Sequence, residues 1–563
     1  MRDRLQQTAD SNLTRMQAWC AWPVLAIVMM TASGSGVGAQ PDSCLVTTAH
    51  GDVAGTRRGG VCTYLGVPYA APPVGALRWR PPQPPNAWAP ATLSATTAPA
   101  ICPQFNLAGT LAGNEDCLTL NIWTPTVKSH RRGVPVIVWL HPGSFQAASS
   151  NLAASNGERF AAERGAIVVA PNYRLGPFGF LAHNAFALED SNYPSSGNYG
   201  LADQRAALQW VRNSIADFGG DPDNVTLAGT SAGAVSVSLH LVSPFTRGLF
   251  QRAIIQSGYA FSRWRTTAES EGQGVAFANA LGCADPASAA ACLRSKSRDQ
   301  VLAALPIGQM QVVEQEGRVA WEPVVDGFEV RDQPRELFRR GQFARMPVII
   351  GANRDEGWTF VDRSFPGGLD ALQYERAVRT EFGMDAEAVL RIYPATSYAT
   401  PKDALARLTS DVEFVCEARR AARVLHHDGA PVFLYSFEYT VEPVTPGRAF
   451  HGLETNLLFG NNFAAPSNHV LAPADIAVFG TISSYWREFA ETGSPNHPDN
   501  PVQWPAFRPD ATPHSGDLDL SDRYLRFDRT ASEGRALRDS HCNFWESFYF
   551  RSVLGTTLAA AAR

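Results

Sequence analysis

The sequence predicts an α/β fold: a large, mostly parallel central sheet flanked by helices, with a small antiparallel sheet at its N-terminal end. Three observations carry this. Unbroken apolar runs of strand length, VPVIVWL from Val134 to Leu140 foremost, are what strands covered on both faces require. Helix-length segments alternate with these runs, as a parallel sheet with crossover helices demands. The stretch 218–240, FGGDPDNVTLAGTSAGAVSVSLH, reads as a loop, a buried strand, a corner at Ser231 and a helix of small apolar residues.

The chain begins with Arg2, Arg4 and Arg15, an apolar run over residues 18–30 and a small-residue stretch ending in Val37, Gly38 and Ala39. That order predicts a cleavable secretory signal over residues 1–39, and so a secreted or periplasmic protein. The apolar run is too short for a membrane span, and none is expected in the mature chain. From residue 40 to 563 no low-complexity linker interrupts the pattern, which argues for one large domain. A net charge of −5 without a basic cluster argues against nucleic acid as a partner. No C-x-x-C or H-E-x-x-H occurs, so neither a metal nor another cofactor is expected. Loss of the signal leaves Cys44, Cys62, Cys102, Cys117, Cys283, Cys292, Cys416 and Cys542, an even set in an oxidising compartment; arithmetic alone leaves every pairing open.

Taken in order, residues 45–69 are short β-rich runs broken by glycines, which predicts the small antiparallel sheet. Residues 72–90 are proline-rich with Trp79 and Trp88, a wrap around the body. The strand 134–140 delivers His141, Pro142, Gly143, Ser144 and Phe145 to a loop. Residues 166–172 give the next core strand, and 201–216 an amphipathic helix leading to the strand 224–228. Gly229 and Gly233 flank Ser231 as G-x-S-x-G, a strand-to-helix corner that exposes a serine hydroxyl and aims helix N–H groups at nearby negative charge. The triplet Asn224, Val225, Thr226 has the form of a glycosylation site but falls in this strand, and reads as chance. Residues 253–257 and 347–351 are further strands, the second leading into Asn353, Arg354, Asp355 and Glu356.

FGGDPDNVTLAGTSAG resembles the serine-site signature of the type-B carboxylesterase/lipase family, the cholinesterase-like branch of the α/β-hydrolases. EDCLTLNIWTP at Glu115 resembles its second signature, and VPYAAPPVG, NYRLGPFGFL, GNYGLADQ and CNFW extend the likeness over nearly the whole mature chain. The resemblance implies an α/β-hydrolase fold and a serine carboxylesterase acting through an acyl-enzyme on a small-molecule ester. It implies Ser231 as nucleophile, His451 in FHGLETNLLFG as base and Glu356 as the acid, with Asp355 the rival carboxylate. By position, the backbone N–H groups of Gly143, Ser144 and Ala232 would form the oxyanion hole, and Ser257 would stand near the acid. Trp264, Trp321 and Val319 fall at acyl-pocket positions, which implies short to medium acyl chains. The family's bridges match Cys102 with Cys117, Cys283 with Cys292, and Cys416 with Cys542, which leaves Cys44 with Cys62.

Pro142 replaces the first glycine of the family's oxyanion run, a position that donates nothing, so it touches the loop's flexibility and not the hole. Three other departures bear on substrate. No tryptophan lies between Cys102 and Cys117, where cholinesterases bind a choline cation, and the loop is shorter than in the long-lidded lipases. Thr230 stands where the family usually has glutamate, which removes a negative charge beside the base. Together they favour neutral esters over cationic ones, with a lipase for longer chains as the runner-up and a non-catalytic binding protein as the reading from another class.

Overall fold

The computed structural model describes residues 44–106, 109–126, 133–305, 321–427, 429–508 and 522–548. The segment 1–39, Cys20 and Val319 lie outside them. The main sheet has eleven strands: β1 (Thr56–Arg58), β2 (Val61–Pro68), β3 (Thr119–Pro125), β4 (Val134–Leu140), β5 (Ile167–Pro171), β6 (Gly220–Thr230), β7 (Arg252–Gln256), β8 (Val348–Asn353), β9 (Val432–Phe437), β10 (Tyr524–Phe527) and β11 (Ser532–Gly534). Their spatial order is β11, β10, β9, β8, β7, β6, β4, β5, β3, β2, β1. The consecutive neighbours from β10 to β5 all pair in parallel, and both margins are antiparallel.

Every residue of β4, β5, β8 and β9 is buried, the outcome their unbroken apolar runs require. Along β4 the side chains alternate between two cores. Val136, Val138 and Leu140 enter one, Ile137 and Trp139 the other. A third apolar cluster gathers Val361, Tyr374, Tyr393, Leu408 and Trp545 around the bridge Cys416–Cys542.

The N-terminal runs divide differently from expectation. Leu45–Thr48 and Gly51–Ala54 form the small sheet, joined by Leu93–Ser94 in parallel, whereas β1 and β2 belong to the main one. The reason is burial on two sides: Tyr64 and Val67 of β2 enter the first core while Val61 enters the second, so β2 needs cover on both faces. Asn224 is a half-buried strand residue whose side chain is engaged by Arg252, in keeping with the chance reading of its triplet.

Four disulfides are formed: Cys44–Cys62, Cys102–Cys117, Cys283–Cys292 and Cys416–Cys542, with Cα separations of 5.6, 5.1, 5.6 and 5.0 Å. Such a set belongs to an extracellular or periplasmic environment. Cys416–Cys542 spans 126 positions, and chain entropy assigns a loop of that length roughly 4 to 5 kcal/mol. The Cys416→Ala/Cys542→Ala double variant is therefore expected to unfold at a clearly lower temperature; an unchanged midpoint in a calorimetric scan would refute the assignment. Among the described residues, no helix is long and apolar enough to cross a membrane.

Candidate active site

β6, β7 and β8 lie side by side in parallel, with Thr230 opposite Gln256 and Gln256 opposite Gly351, so their carboxyl ends open on one edge. Ser231 follows β6 at φ 56°, ψ −124°, a strained backbone for a residue with a side chain. Its N–H donates to the Gln256 carbonyl at 2.9 Å, and the helix Ala232–Val242 starts immediately after it. The flanking glycines are required by contact. A Cβ on Gly233 would lie 2.0 Å from the Leu140 carbonyl oxygen, and one on Gly229 2.6 Å from the Gly233 backbone. The helix N-terminus thus sits directly on the end of β4.

That end leads into the loop 141–145, where the oxyanion donors Gly143 and Ser144 are expected. Gly143 (φ 119°), Ser144 (φ 53°) and Phe145 (φ 60°) turn through left-handed conformations. A Cβ on Gly143 would fall 2.1 Å from the Ala147 carbonyl oxygen. His141 braces the loop: it stacks on Tyr173 at 4.2 Å, accepts the Tyr173 hydroxyl at its own carbonyl and donates Nδ1–H to the Pro142 carbonyl at 2.8 Å. Burial pushes its pKa down to about 4, so this imidazole stays neutral. The first N–H groups of the Ala232 helix have no intrahelical acceptor, and the Gly233–Leu140 contact brings that end to the same loop.

Past β8, Glu356 is fully buried. One of its oxygens accepts the Asn353 N–H at 2.6 Å and the other meets His451 Nδ1 at 2.5 Å. Asp355 turns elsewhere, accepting from Arg354 Nε and the Ala449 N–H. The structure thus brings Glu356, not Asp355, to the histidine. Phe360 and Phe414, stacked on each other, each pack on the His451 ring at 5.0 Å.

The profile of the carboxylesterase family matches residues 42–545. The chain belongs to the carboxylesterase family. It is similar to the para-nitrobenzyl esterase of Bacillus subtilis (strain 168), 35% identical over 480 residues that cover 82% of this chain and 92% of that one. It is also similar to the fumonisin B1 esterase of Sphingopyxis macrogoltabida, 36% identical over 529 residues, 89% of this chain and 91% of that one. This carboxylesterase is accordingly a carboxylic ester hydrolase with the α/β-hydrolase fold.

Other expected site residues of this carboxylesterase are less evenly placed. Ser257 follows β7 at φ 55°; its hydroxyl is buried and meets no partner among the described residues. Trp264 and Trp321 are both buried, Trp321 edge-on to Phe277 at 5.3 Å. Thr230 has a partner that sequence reasoning missed: its hydroxyl donates to Glu454 at 3.4 Å. Glu454 is wholly buried and also accepts from Gln256 at 3.3 Å and Asn353 at 2.5 Å. Burial, and then the Glu356 carboxylate, push its carboxyl well above the usual range. A carboxyl therefore stands behind the histidine despite Thr230, in the first turn of the helix Leu453–Phe459.

These neighbours set the protonation of His451. Burial disfavours its cation, but the charge and hydrogen bond of Glu356, with Glu454 behind, outweigh that, and the pKa lies above the ordinary 6.5. A histidine must be neutral to accept a proton, so kcat/KM should rise with pH through a midpoint above 6.5. Glu454→Gln removes one raising charge and should move that limb toward acid. A profile flat from about pH 5 to 8 would speak against a histidine base.

Proposed function

We propose that the protein is an exported serine carboxylesterase with Ser231, His451 and Glu356 as its catalytic triad, acting on carboxylic esters of short to medium acyl chain. His451 takes the Ser231 proton as the hydroxyl attacks the ester carbonyl, then returns it to the leaving alcohol. Glu356 keeps the proton on Nδ1, leaving Nε2 as the base, and stabilises the imidazolium. The oxyanion is met by the N–H groups of Gly143, Ser144 and Ala232, where one donor contributes roughly 3 kcal/mol in hydrolases of this kind. Water then repeats the sequence on the acyl-enzyme. The 2.5 Å contact between Glu356 and His451, on the sheet edge where the Ser231 corner opens, supports this reading most directly. Residues 1–39 serve as the signal and 40–563 as a single catalytic domain.

Acyl preference rests on Trp264 and Trp321 as walls of the acyl space. An accepted methylene contributes about 0.8 kcal/mol, and a clash with a rigid indole forfeits more. Across para-nitrophenyl esters, kcat/KM is expected to rise from acetyl to butyryl and fall past octanoyl. An optimum at palmitoyl would favour the lipase reading and remove these tryptophans from the wall.

A further inference from the structure

Hydrogen bonds tie the loop 141–148 to the body at its start, its middle and its end. Tyr173 donates its hydroxyl to the His141 carbonyl at 2.8 Å, Gly176 donates its N–H to the Phe145 carbonyl at 2.7 Å, and the side chain of Gln104 holds Ala148. The first two ties come from the chain just after β5. The third comes from elsewhere: Gln104 stands two residues after Cys102, in the short hairpin of Gln104–Phe105 and Leu111–Ala112 inside the loop that Cys102–Cys117 closes.

Gln104 is only 5% exposed, and its carboxamide is fully engaged. Oε1 accepts the Ala148 N–H at 2.8 Å, while Nε2 donates to the Ala148 carbonyl at 3.0 Å and to the Cys102 carbonyl at 3.0 Å. One side chain thus pairs with both backbone groups of one residue, as a neighbouring strand would, and the planar amide supplies the acceptor and the two donors this requires. Ala148 needs the support. It sits at φ 74°, a left-handed backbone that a residue with a Cβ keeps only where its surroundings impose it. Among the described residues, its N–H and carbonyl meet no other hydrogen-bond partner.

Gly143 rests on this clamped end of the loop. Its carbonyl accepts the N–H groups of Gln146 and Ala147 at 2.9 and 3.0 Å, which curls the loop back on itself, and a Cβ on Gly143 would also come within 3.1 Å of the Ala148 Cβ. We propose that Gln104 is a positioning residue for ester hydrolysis: by clamping Ala148 it holds the Gly143 and Ser144 N–H groups where the oxyanion forms, and so makes the Cys102–Cys117 loop part of the oxyanion machinery. The proposal rests on the reading of those N–H groups as donors to the tetrahedral intermediate. Deleting one such donor lowers kcat by roughly 10² to 10³, and a donor displaced but still present should cost less.

The test uses Gln104→Met, which keeps length but neither hydrogen-bonding group, and Gln104→Glu, which keeps an oxygen for the Ala148 N–H. On para-nitrophenyl butyrate, Gln104→Met should lower kcat about thirty-fold with KM held within about two-fold, the mark of an interaction made in the transition state. Gln104→Glu should fall between it and the wild type. The second readout is inhibition by an alkyl trifluoromethyl ketone: the Ser231 oxygen adds to its carbonyl carbon, the serine proton passes to His451, and the carbonyl oxygen becomes the anion in the hole. Gln104→Met should weaken this inhibitor by the same factor as kcat and leave the matching methyl ketone, which binds without adding, unchanged. The pH midpoint of kcat/KM should stay in place, because Glu356 and His451 are untouched. An unchanged kcat, equal weakening of both ketones, a moved pH midpoint, or Gln104→Glu no better than Gln104→Met would overturn the clamp. Should Gln104→Met fail to fold, Gln104→Glu decides: kcat and trifluoromethyl-ketone affinity falling together support the clamp, and neither falling overturns it. A wild-type protein that binds the two ketones alike would instead overturn the reading of an oxyanion hole at Ser231.

Discussion

Ser231→Ala is expected to lower kcat on any ester by roughly five to six orders of magnitude while leaving the thermal midpoint nearly unchanged. The size of the loss follows from the way nucleophile, base and acid act as a unit: once the hydroxyl is gone, His451 has no proton to accept. The fold should persist because what shapes the corner is the backbone, namely the φ of 56°, the N–H to Gln256, and Gly229 and Gly233 at van der Waals limits. An organophosphonate probe should label the wild-type protein at Ser231 and the variant nowhere. Labelling at another serine would disprove the assignment.

Glu356→Gln should cost about 10⁴ in kcat, whereas Asp355→Asn should change stability more than turnover. Glu356 is fully buried and meets His451 Nδ1 at 2.5 Å, so an amide there can present N–H to the ring and trap it in the wrong tautomer. Asp355 serves Arg354 and the Ala449 N–H, contacts that hold the loop before the histidine. Reversed effects of the two substitutions on kcat would make Asp355 the partner.

Much of this was legible in the residues, for a physical reason: the elbow needs a serine between glycines where strand and helix touch, and buried parallel strands need unbroken apolar runs. The choice between two adjacent carboxylates was less so, because a turn decides which one faces inward. Glu454 was not legible at all. A glutamate three positions after a histidine is on most surfaces a solvated charge, and what buries this one comes from Thr230, Gln256 and Asn353 on three separate strands. The place of β2 in the main sheet depends on cover supplied from both faces, which neighbouring residues do not encode.

The order of strands in the sheet has a consequence for how activity is acquired during folding. The oxyanion loop follows β4, Ser231 follows β6, Glu356 follows β8 and His451 follows β9, and each parallel pairing among them closes a long crossover before any contact rewards it. Local structure, including the helix behind the serine, can form early. The chemistry cannot. A nascent chain carries Ser231, the proposed nucleophile, long before His451, the proposed base, has been synthesised, and the bridge that ties Cys416 to Cys542 waits for a residue 126 positions further on. Ester turnover is therefore expected to be a late reporter of folding, silent until the strands that carry these residues have paired and the thiols have been oxidised.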